Sequence, residues 1–157
     1  MSRPEERQVF TRLVGAERTM ARDGRSEVRL AIRPHHKNEL GIVHGGVLMA
    51  LADEAIGLAA YSAVGAGTAV VTAELHVHFL LPVRDGLLVA RGQVWRAGRR
   101  LVTGEAVIEL VDAAGADAAA GPEGRAPADG WPAGRSAVIV ARADGTWATV
   151  TPDVPLP

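Results

Sequence analysis

An apolar stretch with two acidic residues near its middle constrains the fold of this chain more than any other feature. The stretch runs from Gly45 to Val64, and Asp53 and Glu54 lie within it. It has about the minimum length of a membrane-spanning helix, but a charge at the centre of a bilayer costs roughly 3 kcal/mol or more. We therefore predict a helix from Gly46 to about Val64 that protein covers on most sides, and no membrane partner.

Regular alternation elsewhere indicates antiparallel strands. Asp23-Gly24 predicts a tight turn, and the SEVRLAIR segment after it alternates apolar and polar residues as far as Pro34. A short helix is predicted before this hairpin, over residues 5–13. Four more segments resemble strands and cover residues 68–81, 87–95, 100–110 and 137–143, with strand-like residues following to 150. One helix and five to six antiparallel strands predict an α+β fold in which one sheet wraps around the helix.

Length and composition agree with one compact domain over residues 1–157. A net charge of −1 provides no basic surface for nucleic acid, and the lack of cysteine excludes disulfides and thiolate chemistry. The charged N-terminal segment has no apolar stretch of signal-peptide length, so a cytoplasmic location is expected. Residues 112–134 are rich in Ala, Gly and Pro without a period, which predicts a flexible insertion.

The glycine pair at the start of the predicted helix is a candidate anion site. The N–H groups of Gly45 and Gly46 are among the first of the helix, where they have no partner within it and lie at the positive end of its dipole. Such donors favour a negative oxygen, and glycine lets a carbonyl group approach closely. The helix start is therefore a candidate oxyanion hole, although a Gly-Gly pair taken alone is more often a plain turn.

Asp53 is the candidate catalytic carboxylate, because a buried charge needs a partner or a purpose. It follows Gly45 by eight residues, which is roughly 12 Å along a helix. A carbonyl group bound at Gly45 is therefore too far from Asp53 of the same chain. If both residues serve one site, the spacing predicts a dimer in which each subunit supplies one of them. Glu54 points about 100° away and is expected to reach solvent or a salt bridge.

The order of these residues resembles that of the hot-dog acyl-CoA thioesterases, and more narrowly their phenylacetate-degradation type. The pattern consists of Asn38, Gly41, His44-Gly45-Gly46 and Asp53, followed by a strand that ends in HFLLPV. The resemblance covers about residues 14–111 and the last strand, but neither the insertion nor the tail TPDVPLP. It implies the hot-dog fold, a curved antiparallel sheet wrapped around one long central helix. It also implies homodimers with shared active sites that pair into tetramers, and no cofactor is expected.

The resemblance also implies roles for individual residues. Gly45 matches the residue whose amide polarises the thioester carbonyl, and Asp53 matches the carboxylate that the partner subunit supplies as base or nucleophile. Asn38 matches a polar residue that helps to hold the carbonyl or the water. His44 matches a residue that borders the oxyanion loop, and Thr72 matches a hydroxyl residue that positions water near the carboxylate. Gly46 is added as a substrate-binding residue.

Weaker features leave alternatives open. Arg99 and Arg100 lie at a strand end, where guanidinium groups suit the phosphates of coenzyme A, although a solvated arginine is the commoner case. His76 and His78 share one face of a strand with Glu74, which is the spacing of a metal pair or of a polar face at a subunit contact. The latter is favoured for want of further ligands, so no metal is expected. The pair His35-His36 is interpreted as surface.

The leading hypothesis is hydrolysis of acyl-CoA thioesters with aromatic or short to medium acyl groups. A hot-dog dehydratase or hydratase is the second hypothesis for an enzyme. The site of such an enzyme usually pairs a catalytic histidine with an aspartate. A non-catalytic acyl-CoA-binding protein is the third, and loss of the carboxylate would favour it. The presence of Asp53 in the helix favours the hydrolase among the three.

Overall fold

The computed structural model of the protein describes residues 10–111 and 137–151. These ranges contain two α-helices and six strands. In chain order they are α1 (Phe10–Val14), β1 (Glu17–Arg22), β2 (Arg25–Ala31), α2 (Gly45–Ala63), β3 (Ala69–Phe79), β4 (Leu87–Ala97), β5 (Leu101–Val111) and β6 (Val138–Val150), with a 3₁₀ turn at Pro34–His36. The predicted single long helix and its α+β architecture are confirmed.

All six strands form one antiparallel sheet in the order β1-β2-β4-β5-β6-β3. α2 connects β2 to β3, and β3 lies at the far edge of the sheet from β1. Because the connection crosses the whole sheet, the helix lies over one face of it and supplies much of the core. This arrangement places β3 beside the helix at an edge where no further strand of the described chain pairs with it.

Small residues let α2 approach the middle of the sheet closely. A Cβ built on Gly92 of β4 would lie 2.4 Å from the carbonyl oxygen of Ala55, so only glycine fits there. The Ser26 hydroxyl of β2 donates a 2.5 Å hydrogen bond to the same oxygen. The helix buries a face of aliphatic residues against this region, namely Leu48, Leu51, Ala52, Ala55, Ile56, Ala59 and Ala60. By length and composition α2 would also pass for a membrane span, but in this fold it is the central helix.

The predicted boundaries agree with the described structure in most places. The turn at Asp23-Gly24 is confirmed, and both residues have the positive φ that the tightest hairpin turns require, 50° and 73°. The helix begins one residue earlier than predicted, since His44 already caps it. The N-terminal helix is present as Phe10–Val14, while the part predicted over residues 5–9 lies outside the described residues. The predicted insertion at 112–134 also lies outside them.

An ion-pair network covers the face of the sheet opposite α2. Arg91 of β4 contacts Glu27 of β2 at 3.2 Å and also pairs with Glu109 of β5. Burial would raise the pKa of Glu27, but hydrogen bonds from Arg29 and Thr19 and the positive charges of Arg29 and Arg91 outweigh it. The pKa of Glu27 is therefore held below its ordinary value.

Candidate active site

The start of α2 leaves one backbone donor unused. His44 is the N-cap residue, and its Nδ1 atom accepts a 2.9 Å hydrogen bond from the Gly46 amide. The next amide, that of Val47, donates to the His44 carbonyl oxygen. The Gly45 amide has no hydrogen-bond partner among the described residues. Of the two glycine donors expected from the sequence, Gly46 is thus used by the cap and Gly45 remains for a ligand.

Phe79, at the end of β3, packs over Gly45. A Cβ built on Gly45 would lie 3.2 Å from Phe79 Cζ, so the glycine makes room for the ring. Phe79 is itself about half exposed, as are Val71 and Leu80 of the same edge. Sequence reasoning missed Phe79 as a neighbour of Gly45, although it belongs to the quoted HFLLPV segment. The half-exposed ring of Phe79 therefore places an apolar surface beside the amide of Gly45.

The loop before α2 is shaped by Asn38. Its side-chain oxygen accepts hydrogen bonds from the amides of Leu40 and Ile42, at 3.0 and 3.3 Å, and Gly41 takes a positive φ of 72°. The side-chain nitrogen Nδ2 has no partner within residues 10–111 and 137–151. Asn38 thus organises the loop with its oxygen and keeps an N–H donor. Arg84 borders this loop by donating a 3.1 Å hydrogen bond to the Leu40 carbonyl.

His36 supports the same loop from inside the protein, so the prediction that it lies on the surface was wrong. It is only 3% exposed. Its Nδ1 atom accepts a 3.0 Å hydrogen bond from the Arg33 amide, and Nε2 lies 2.8 Å from the Val14 carbonyl oxygen. Its own carbonyl oxygen accepts from the His44 amide at 2.8 Å. His36 therefore connects the end of α1, through its buried imidazole, to the residue that caps α2, through its carbonyl oxygen.

Asp53 lies two turns further along α2, where it meets Thr72 of β3. The Thr72 hydroxyl donates a 2.7 Å hydrogen bond to Asp53 Oδ1. A bulge makes this contact possible, because the register of β3 against β6 shifts between Thr72 and Glu74. Beyond the bulge Leu75 packs towards the core, and Thr72 also faces the helix instead of the opposite face. The two residues that the resemblance linked are thus in direct contact.

Gly45 and Asp53 of one chain are not brought together. The eight-residue spacing along a regular helix keeps them about 12 Å apart, as the sequence predicted. Met49, one turn after Gly45, lies between them and is 44% exposed. Glu54 points elsewhere, as expected: it pairs with Arg18 and accepts a 2.9 Å hydrogen bond from Thr11.

Arg99 and Arg100 lie in the exposed turn between β4 and β5. The Arg99 and Arg100 carbonyls are bound to Thr149, whose β6 position pairs with Val70 at the start of β3. This end of the sheet adjoins the C-terminus of α2, so both arginines lie about a helix length, roughly 27 Å, from Gly45 of their own chain.

The histidines of β3 form a polar patch on the face opposite the helix. His76 Nε2 lies 3.2 Å from Glu74, and Nδ1 lies 3.7 Å from Asp144. In the two described ranges, no group of three or more histidine, aspartate and glutamate residues has the arrangement of a metal site.

Comparison with known proteins identifies a family and solved structures that resemble this chain. Residues 40–116 match the family model described as the thioesterase superfamily. A protein of Saccharolobus solfataricus, whose name assigns it provisionally to the esterases, is 35% identical over 92 residues. That match covers 59% of this chain and 64% of the relative, which is less than two thirds of its length.

Solved structures share the fold over nearly the whole chain. The conserved protein PA5202 from Pseudomonas aeruginosa superposes with a TM-score of 0.73 at 29% identity, covering 96% of this chain and all of that one. PaaI, from the phenylacetic acid degradation operon of Escherichia coli, has a TM-score of 0.68 at 20% identity and covers 89% of this chain and 83% of its own. The sequence match and the shared architecture lead to one conclusion: the chain has the hot-dog fold of thioesterases, and nearly half of it, residues 40–116, is similar to the thioesterase superfamily.

Proposed function

We propose that the protein hydrolyses acyl-CoA thioesters to the free acid and coenzyme A. The observation that carries this proposal is that one side of α2 presents both a backbone N–H without a partner among the described residues and a carboxylate fixed by a hydrogen bond. The Gly45 amide has no partner in the described chain, and Asp53 is fixed by Thr72 through one oxygen only. These are the two groups that hydrolysis of a thioester needs, a donor for the developing oxyanion and a base for water.

The reaction follows from these two groups. The thioester carbonyl oxygen accepts the Gly45 N–H, and the positive end of α2 favours the negative charge that forms there. Asp53 removes a proton from a water molecule, whose oxygen forms a bond to the carbonyl carbon. The tetrahedral intermediate then collapses, the carbon–sulfur bond breaks, and the coenzyme A thiolate takes up the proton that Asp53 removed from the water, which returns Asp53 to its carboxylate form. Direct attack by Asp53 would start from the same carboxylate.

The site is proposed to lie between two subunits, with β3 as their contact. The outer edge of β3 is unpaired in the described chain, and Val71 and Phe79 on it are about half exposed. An unpaired apolar edge favours pairing with a second strand. Gly45 lies at the level of Phe79 and Asp53 at the level of Thr72. In an antiparallel pair of β3 strands with its twofold axis close to Leu75, Phe79 of one subunit would lie beside Thr72 of the other. Gly45 of each subunit would then lie near Asp53 of its partner.

This dimer would also give Arg99 and Arg100 a role. They lie at the end of the sheet where, in an antiparallel pair, the partner's helix begins. Their guanidinium groups would then stand near the oxyanion donor of the other subunit, within reach of the phosphates of coenzyme A. Pairing of dimers into tetramers and a cytoplasmic location belong to the same proposal.

Aromatic or short to medium acyl groups are the proposed substrates. The exposed apolar residues around Gly45 suit such groups, and the likeness to PaaI supports an aromatic one. A dehydratase would need a catalytic histidine beside the aspartate. The nearest candidate from the sequence, His44, uses its Nδ1 atom to cap α2, which favours hydrolysis over dehydration.

A screen of acyl-CoA thioesters tests the proposal. Thiol release is measured for acetyl-, hexanoyl-, benzoyl- and phenylacetyl-CoA with the wild type and with Asp53→Asn. We expect turnover of at least one thioester, and a loss of at least about a hundredfold in the folded variant. Equal turnover by both proteins would remove Asp53 from the mechanism, and no turnover by the wild type would contradict thioester hydrolysis.

A further inference from the structure

Trp147 of β6 is a buried residue whose polar atom, the indole nitrogen, nothing described so far uses. The residue is 1% exposed, and its indole N–H has no hydrogen-bond partner among the described residues. A buried donor without a partner costs about 1–3 kcal/mol, so such groups normally meet protein or water. Among the described residues, every fully enclosed side-chain nitrogen or oxygen has a hydrogen-bond partner. Because this indole nitrogen has none, it is not fully enclosed, and solvent reaches it.

A strand register, a contact and a helical spacing locate the indole nitrogen near the Asp53–Thr72 pair. Trp147 and Thr72 are register partners on β6 and β3, and both side chains face the helix. On the helix side, a Cβ built on Gly57 would lie 3.4 Å from Trp147 Nε1. Gly57 follows Asp53 by four residues, so the two positions are neighbours on one helix face, with Cβ positions about 5–6 Å apart.

The position of the missing Gly57 side chain is open: a Cβ there would have Trp147 Nε1 at 3.4 Å as its one neighbour within 4 Å among the described residues, apart from its chain neighbours and the helix's own backbone. Trp147 is too deeply buried to contact an acyl group, and Gly57 has no side chain to occupy the gap. A water that accepts from an N–H and donates to a carboxylate bridges nitrogen and oxygen atoms up to about 5.7 Å apart. Thr72 occupies Asp53 Oδ1, so Oδ2 is available to such a water.

We propose that Trp147 N–H, Gly57 and Asp53 Oδ2 form the binding site of the water that the thioesterase reaction consumes, with Trp147 as its positioning residue. This inference rests on the proposed function for its role in turnover. The indole N–H accepts no proton in the reaction. It holds the water oxygen while Asp53 takes the proton, and Gly57 keeps the position open.

Two variants test the site in different ways. Trp147→Phe removes the N–H but keeps an aromatic ring, whereas Gly57→Ala fills the gap with one methyl group. We expect each variant to lower kcat about tenfold to a hundredfold, with KM for the best acyl-CoA of the screen changed less than about twofold. Trp95→Phe, at an exposed position of β4, is the matched control and should keep wild-type kcat.

Stability separates this role from a packing role. Alanine favours a helix interior over glycine, so Gly57→Ala should unfold at the same temperature as the wild type or above it, while losing kcat. Loss of kcat accompanied by an equal loss of stability in both variants would overturn the inference, and so would unchanged kcat in Gly57→Ala.

A crystal structure gives a test that does not depend on turnover. We expect a water 2.7–3.2 Å from Trp147 Nε1 in the wild type, about the range of a hydrogen bond, and none in Gly57→Ala. A wild-type structure with no water at Nε1 would overturn the inference even if the enzyme is active. If that water is present but no thioester is cleaved, the proposed function fails and the water site stands.

Discussion

The Thr72 hydroxyl of the edge strand donates a 2.7 Å hydrogen bond to Asp53 of the central helix. The contact joins the two elements of the sheet edge that also carry Gly45 and Phe79. It leaves Asp53 Oδ2 without a hydrogen-bond partner among the described residues and restricts the direction in which that oxygen points.

Replacing Thr72 by valine should therefore lower kcat about tenfold, because a hydrogen bond to a charged group contributes about 1.5–3 kcal/mol and its loss lets the carboxylate turn. Thr72→Ser keeps the hydroxyl and is the matched control. Steady-state kinetics of both variants check the prediction. Similar kcat values for the valine and serine variants would show that the contact has no part in turnover.

The free amide of Gly45 can be removed without removing the helix start. His44 has φ −64° and ψ 136°, the conformation that a residue before proline prefers, and proline is well tolerated at the first helical position. Gly45→Pro should lower kcat about a hundredfold, which is the usual effect of losing an oxyanion donor. Gly45→Ala adds the same Cβ against Phe79 but keeps the N–H. If the alanine variant is as impaired as the proline variant, crowding of the ring rather than loss of the donor is responsible.

Mixing two inactive variants tests the shared site. A heterodimer of Gly45→Pro and Asp53→Asn subunits contains one site with both defects and one with neither. Random exchange of subunits should therefore restore about a quarter of wild-type activity, while each variant alone stays inactive. The measurement is turnover after co-refolding, with unmixed samples treated identically. A mixture with no recovered activity, in which mass spectrometry detects heterodimers, would mean that each site is formed within one chain.

Buried His36 should matter for stability more than its exposed neighbour. His36→Ala leaves the Arg33 amide and the Val14 carbonyl without their partner, which we expect to lower the free energy of unfolding by about 2–3 kcal/mol. His35→Ala should change it by less than about 1 kcal/mol, as is usual for a surface position. Urea unfolding of both variants checks the difference. Equal effects would mean that the two hydrogen bonds of His36 contribute little.

The lowered pKa of Glu27 predicts acid sensitivity with a definite sign. Its contribution to stability is fully present above its unfolded pKa, 4.5, and is lost as the pH falls through the lower folded value. Glu27→Gln should therefore be less stable than the wild type at neutral pH, and the difference should shrink towards about pH 3. Glu17→Gln, at an exposed position of β1, should show no such convergence. A constant difference across this range would contradict the assignment.

Much of the fold follows from local sequence patterns, because alternation and turn chemistry act over a few residues. The Asp23-Gly24 hairpin and the long helix were predicted for that reason. The spacing of Gly45 and Asp53 likewise gave a distance without a structure, since helix rise is constant.

The environment of His36 and the neighbours of Asp53 depend instead on distant parts of the chain. The segment Pro34-His35-His36 has the composition of a polar loop. No local pattern predicts that the carbonyl oxygen of Val14 contacts the His36 ring. Trp147 lies seventy-five positions after its register partner Thr72, and pairing between edge and last strand cannot be read from periodicity. The bulge that turns Thr72 towards the helix could not be predicted from the sequence either, because the segment AVVTAELHV has the composition of an uninterrupted strand.

That bulge lets β3 carry one residue more than the strand it pairs with. Side chains of a strand alternate between two faces, so the extra residue at Ala73 lets Thr72 and Leu75 share one of them. Deleting Ala73 would remove the bulge and return β3 to regular alternation, with Thr72 and Leu75 still on the same face. The bulge thus absorbs one residue of the edge strand while the Thr72 hydroxyl stays in contact with Asp53.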